Sequence, residues 1–114
     1  MENKGIEKGI VYNIDDIIEY VPDSIVSKTI LKKLTGIIAL ASYDSGKELI
    51  SKVYPFDTFV MLLEGRAAIT LNKTVNTMVA FQSIIIPAHQ NYTISAVDRF
   101  KLLTVTIKSG YESS

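Results

Sequence analysis

From residue 25 onward the chain is a succession of short apolar runs, rich in β-branched and aromatic residues, at 26–31, 37–43, 49–54, 58–63, 67–71, 74–79, 83–86, 92–97 and 101–107. Turn chemistry breaks them at intervals of about 8–12 residues, the pattern of an antiparallel sandwich or barrel. No long amphipathic helix follows residue 21, so helical bundles and alternating α/β folds are excluded and an all-β fold is expected. The breaks are chemically specific. Asp44-Ser45-Gly46 and Glu64-Gly65 follow strand-like runs, and Asn72-Lys73 is a two-residue hairpin turn in which Asn supplies a positive φ.

Side-chain alternation assigns faces. Over 58–64, Thr58, Val60 and Leu62 share one face and Phe59, Met61 and Leu63 the other. Both are essentially apolar, so both are expected to be covered, one by the barrel interior and the other by a second sheet, the N-terminal segment or another subunit. Over 66–71, Ala67, Ile69 and Leu71 face in, whereas Arg66, Ala68 and Thr70 face out. Residues 1–12 read as a loose arm ending in an edge strand. Asn13 is an N-cap candidate with Asp15 and Asp16 in the first turn, predicting a short helix over 14–20 that Val21-Pro22-Asp23 ends. The expected organisation is an N-terminal arm and short helix (1–24), a β-barrel (25–108) and a C-terminal tail (109–114).

At 114 residues the chain is sized for a single core. The mean hydropathy of +0.23 suggests apolar surface that a subunit contact, most simply a homodimer, would cover. Twelve Lys and Arg balance twelve Asp and Glu, and Lys32-Lys33 is only a pair, so neither nucleic acid nor an anionic membrane is an expected partner. The absence of cysteine rules out disulfides, a thiolate nucleophile and cysteine metal sites. Met1-Glu2-Asn3-Lys4-Gly5 leads into polar residues, not an apolar targeting core, and the apolar runs at 37–41 and 59–63 are far shorter than the roughly 20 residues of a membrane span. A cytoplasmic protein is expected.

Two spacings carry more information. Gly46, Lys52, Tyr54, Thr58 and Gly65 follow the pattern Gly-x5-X-x1-X-x3-X-x6-Gly, and Phe81, Pro87, His89 and Tyr92 follow X-x5-Pro-x1-X-x2-X. With the Pro55-Phe56-Asp57 turn, Leu63-Glu64-Gly65, Ile84-Ile85-Ile86-Pro87-Ala88 and Arg99-Phe100-Lys101-Leu102-Leu103, this frame resembles the two-part signature of small single-domain cupins of the cupin 2 conserved-barrel type over about residues 25–107. The resemblance implies a cupin double-stranded β-helix, a jelly-roll-like barrel, with the short N-terminal helix appended.

In cupins the first motif supplies two His and a Glu, and the second a His, to a metal ion. Here Lys52, Tyr54, Thr58 and Tyr92 occupy those positions. An ammonium repels a cation, and phenols and alcohols are protonated at neutral pH, whereas Fe, Mn, Ni or Zn need imidazole and carboxylate donors. The resemblance thus implies a barrel with no metal and no other cofactor. Phe81 falls on the first glycine position of the second motif, and His89, the sole histidine, on the second. It reads either as a rim residue bonded to backbone and solvent or as a group at the pocket mouth that titrates near neutrality. Lys52, Tyr54, Thr58 and Tyr92 plug the old site or hold a ligand there, and Glu48 shares parity with Lys52 as a rim partner.

Three functions follow as expectations. The first is a metal-free cupin that binds a small organic molecule, anionic or hydroxylated, in its barrel through Lys52, Tyr54, Thr58, Tyr92 and His89. The second is a metal-independent isomerase or epimerase using Lys52 with Tyr54 or Tyr92, because a buried Lys loses its proton readily and then serves as a base. The third is a non-catalytic dimeric interaction or regulatory module that uses Phe59, Met61 and Leu63. No catalytic residue is assigned. Ser45-Gly46-Lys47 lacks the rest of a phosphate loop, and Asn91-Tyr92-Thr93 is a glycosylation triplet without meaning in a cytoplasmic protein.

Overall fold

A computed structural model describes residues 5–50 and 53–108. Nine strands form in the described residues: β1 (Ile25–Lys33), β2 (Gly36–Tyr43), β3 (Glu48–Ile50), β4 (Thr58–Glu64), β5 (Arg66–Leu71), β6 (Thr74–Val79), β7 (Ser83–Ile86), β8 (Tyr92–Ala96) and β9 (Phe100–Ile107). They pair antiparallel into two sheets, of order β1-β2-β9-β4-β7 and β3-β8-β5-β6. The chain therefore passes repeatedly between sheets, the winding of a double-stranded β-helix.

The turns do what their residues dictate. Asn72 and Lys73 both take positive φ, 48° and 67°, the paired left-handed conformation of a tight two-residue hairpin. Gly65 has φ +85°, and a Cβ there would stand 2.1 Å from the Arg99 carbonyl oxygen, so only glycine lets β4 turn into β5 against the start of β9. At the Asp44-Ser45-Gly46 turn, the Asp23 N–H donates to Asp44 Oδ2 at 2.6 Å. That bond and one from the Ser45 amide hold the Asp44 carboxyl below its ordinary pKa.

The predicted alternation is realised. Val60 and Leu62 of β4, Ala67 and Ile69 of β5, Ile94 and Ala96 of β8 and Phe100 and Leu102 of β9 point between the sheets and form one buried cluster with Tyr43, Met78 and Ile86. Each large side chain removed from water there contributes about 1.5–3 kcal/mol. Tyr43 stacks on Phe100 with ring centroids 4.6 Å apart, the arrangement by which offset aromatic rings add to area burial.

The second apolar face of β4 is covered from within the chain. Leu63 is buried with Leu40 and Ile18, and Met61, Leu103, Val26, Ile30 and Ile17 pack around them. The N-terminal segment thus lies as a strap across the outside of the five-stranded sheet. Only Ile14–Asp16 of this segment is helical, one 3-10 turn, and Asn13 makes no side-chain cap bond. The helix predicted over 14–20 is cut short because its carbonyls are claimed elsewhere: Asp15 C=O accepts from Lys101 Nζ at 2.6 Å and Glu19 C=O from Ser42 Oγ at 2.9 Å. The edge strand expected at the end of the arm is a single bridge, Gly5 to Leu31, with the Ile6 N–H bonded to Ile30 C=O.

Candidate functional site

The two signature segments meet at one end of the barrel. The His89 N–H donates to Tyr54 C=O at 2.6 Å, and the Ala88 N–H donates to Asp57 Oδ1 at 2.7 Å. The Pro55-Phe56-Asp57 turn is therefore laced to the Pro87-Ala88-His89 loop, which explains why the sequence keeps both.

The four glycine positions of the signature keep their backbone even where glycine is gone. Gly46 has φ 80°, Gly65 85°, Phe81 71° and His89 66°. Phe81 and His89 thus hold the left-handed conformation that usually calls for glycine, at a cost of about 1–2 kcal/mol each. For Phe81 the loop is held by the Phe81 N–H on Leu62 C=O at 2.7 Å and the Leu62 N–H on Gln82 C=O at 3.0 Å.

The ligand positions diverge. Lys52 lies outside the described residues. Tyr54 is 37 % exposed, with its ring edge-on to Phe56 at 5.5 Å. Thr58 is half-buried, and its hydroxyl sits 3.3 Å from the hydroxyl of Thr106 on the neighbouring strand β9. Tyr92 is half-buried against the main core, close enough to Tyr43 that each phenolate would repel the other. Burial first, and Tyr92 second, push the Tyr43 hydroxyl up to about 12. Glu48, expected beside Lys52 at the rim, instead accepts from Ser95 Oγ at 3.0 Å on the outside of the four-stranded sheet.

Tyr54, Thr58 and Tyr92 are directed to different neighbours, and among the described residues no group of three or more His, Asp or Glu side chains gathers at one point.

A cleft of about 520 Å³ does open beside this end of the barrel. Tyr92 and His89 line it, together with the Asn72-Lys73 hairpin, the Gln90-Asn91 step and the Thr70 and Thr93 pair on adjacent strands β5 and β8. His89 is exposed there. None of the described residues that line it is acidic, and Lys73 supplies a positive charge. The sequence reading missed Lys73 and Asn72 because it treated them only as a turn. Their link to Gln90 and Asn91 arises from β5–β8 pairing, which brings Leu71 opposite Tyr92.

No protein-family model matches the chain, and no curated protein is detectably similar to it. Its fold nevertheless matches solved structures closely. The conserved SPY1581 protein of unknown function from Streptococcus pyogenes is 26% identical, with a TM-score of 0.86 over 99% of this chain and 97% of that one. A cupin superfamily protein, DSY2733, from Desulfitobacterium hafniense is 24% identical with the same TM-score of 0.86 over 96% of this chain and all of that one (100%). A cupin 2 conserved barrel domain protein from Leptotrichia buccalis reaches a TM-score of 0.88 at 23% identity, over 94% of this chain and 51% of that protein. The chain is a small cupin-fold domain, a double-stranded β-helix. Among the described residues no helix is long and apolar enough to cross a membrane.

Proposed function

We propose that this domain binds a small anionic or hydroxylated organic molecule at the mouth of its barrel, without a metal ion and without catalysing a reaction. The observation that carries the reading is the cleft beside Tyr92: its described lining presents amide, hydroxyl, imidazole and ammonium groups and no carboxylate. Asn72, Gln90, Asn91, Thr93 and the His89 imidazole offer hydrogen bonds that suit hydroxyl groups, while Lys73 favours a negative charge. The donor chemistry at Tyr54, Thr58 and Tyr92 supports the metal-free reading, because phenol and alcohol oxygens are poor substitutes for the imidazole and carboxylate donors that transition ions take. Lys52, six positions after Gly46 in the first motif, supplies a further cation to the same proposal. The absence of cysteine suits a reducing, cytoplasmic setting.

The test is a thermal-shift screen with small carboxylates, sugar acids, polyols and inorganic phosphate, combined with metal analysis of the purified protein. A stabilising carboxylate or polyol whose effect is lost in Lys73→Ala and His89→Ala, and weakened in Lys52→Ala, is the expected result. Stoichiometric iron, zinc, nickel or manganese, or a ligand response unchanged in all three variants, would overturn the reading.

A further inference from the structure

Strand β6 forms one edge of the four-stranded sheet, and its free side differs from every other described sheet edge. Edge strands expose a row of unpaired backbone groups, which proteins blunt with charge, proline, bulges, shortness or a covering segment. Edge strand β1 carries Lys28, Lys32 and Lys33, has a register shift between Thr29 and Leu31 and is covered at Ile30 by Ile6. Strands β3 and β7 are only 3 and 4 residues long. β6, Thr74-Val75-Asn76-Thr77-Met78-Val79, has 6 residues with no charge, no proline and an unbroken register against β5.

The register says which backbone groups face outward. Leu71 opposite Thr74 closes the two-residue hairpin, so Thr74, Asn76 and Met78 direct their N–H and C=O groups to β5. Val75, Thr77 and Val79 direct theirs away. Gln82 occupies those of Val79: its Oε1 accepts from the Val79 N–H at 2.9 Å, and its N–H donates to Val79 C=O at 3.1 Å. Val75 and Thr77 are left presenting one donor and one acceptor each, with no described strand opposite them.

Those four groups are complementary to their own copy. An antiparallel strand placed about a twofold axis through Asn76 sets Val75 opposite Thr77 of the second copy, and the reverse, closing four backbone hydrogen bonds. Lys73 then lies opposite Val79 of the other copy, so like charges stay apart. The Asn76 side chain does not obstruct the approach, since its Nδ2 is bonded to Ile69 C=O at 3.1 Å within its own sheet. Val75 (62 % exposed), Val79 (49 %) and Phe81 (77 %) flank this edge and gain cover from a second copy. We propose that the protein forms a homodimer through β6, joining two four-stranded sheets into one continuous sheet. This relocates the dimer contact expected from the sequence away from the Phe59, Met61 and Leu63 face, and it stands independently of the ligand reading.

Sedimentation of the full chain at micromolar concentrations tests it. The wild type is expected to run as a dimer, and Val75→Lys/Thr77→Lys to raise the dissociation constant by about tenfold or more, one such factor per 1.4 kcal/mol lost. Thr77→Pro, which removes only an outward N–H, is expected to do the same while leaving the β5 ladder intact. Far-UV circular dichroism checks that both variants fold. A monomeric wild type, or folded variants that remain dimeric, would overturn the proposal, as would dissociation by Phe59→Lys with β6 untouched and the β6 variants still paired.

Discussion

The Tyr20 hydroxyl donates a 2.7 Å hydrogen bond to Glu64 Oε2 across 44 positions of chain. The Arg99 guanidinium lies 4.4 Å above the same ring. Tyr20 is thus the last fastener of the N-terminal strap, closing it over Ile18, which is 3 % exposed. Burial, reinforced by Glu64, holds the Tyr20 hydroxyl protonated well above the usual phenol range, so it remains a donor at any physiological pH. Tyr20→Phe is expected to cost about 1–2 kcal/mol, because a half-buried carboxylate loses its donor. Ile18→Ala is expected to cost more, about 2–4 kcal/mol, by opening a cavity beneath the strap. Chemical denaturation checks both values, and an Ile18→Ala loss below that of Tyr20→Phe would mean that the strap is not seated on the sheet as described.

Gly65 and Phe81 predict opposite outcomes for opposite substitutions at equivalent backbone angles. Gly65→Ala must push a methyl group against the Arg99 carbonyl and the Phe100 backbone, 2.1 Å and 2.7 Å away, and keep a positive φ as well. A loss of about 3 kcal/mol or more is expected from these two penalties together. Phe81→Gly relieves the left-handed strain of an exposed residue while adding unfolded-state entropy, for a net gain of about 0.5–1 kcal/mol. Melting temperatures of the two variants should move in opposite directions.

Tyr43 sets a prediction in alkali. Its folded value, about 12, lies above the ordinary phenol value of 10.0 that holds in an unfolded chain. Between these values the folded state holds a proton that the unfolded state has lost, so stability falls as pH rises through that window. The contribution is fully present below pH 10 and amounts to about 2–3 kcal/mol, at 1.36 kcal/mol per unit. Urea denaturation of wild type and Tyr43→Phe between pH 9 and 12 checks it. The wild type should lose up to that amount relative to Tyr43→Phe as pH rises through this window, and parallel curves would show that Tyr43 ionises as easily in the fold as outside it.

How much of this was legible in the sequence follows from which forces act locally. Strand periodicity and turn chemistry are local, so all nine strands were anticipated, with β6 and β7 placed to the residue. The N-terminal segment was one of the covers expected for the second face of β4, but its conformation was not legible, because Lys101 and Ser42, far along the chain, take carbonyls that a helix would have used. Where Tyr54 points was not legible for a related reason: it lies outside the described strands, so strand alternation does not govern it. His89 was read as a loop histidine at a glycine position, and the left-handed φ there gives that glycine a physical meaning. The cleft partners Asn72 and Lys73 were invisible as such, since only the pairing of β5 with β8 carries their hairpin to Tyr92.

Thr58 and Thr106 provide the sharpest check on what stands where the cupin signature carries a carboxylate. Their hydroxyls lie 3.3 Å apart between paired strands, and Thr106 is 9 % exposed, so each removes part of the other's cost of leaving water. Val is isosteric with Thr and keeps the β-branched shape that strands favour. Thr58→Val should therefore cost about 1 kcal/mol by leaving the Thr106 hydroxyl short of a partner, and Thr106→Val a similar amount. The double variant removes both polar groups at once and should cost clearly less than the two single changes added together, a positive coupling read from a double-mutant cycle. Additive losses would mean that the hydroxyls find separate partners, and that Thr58 is free to turn toward the barrel mouth, where a bound ligand would then reach it.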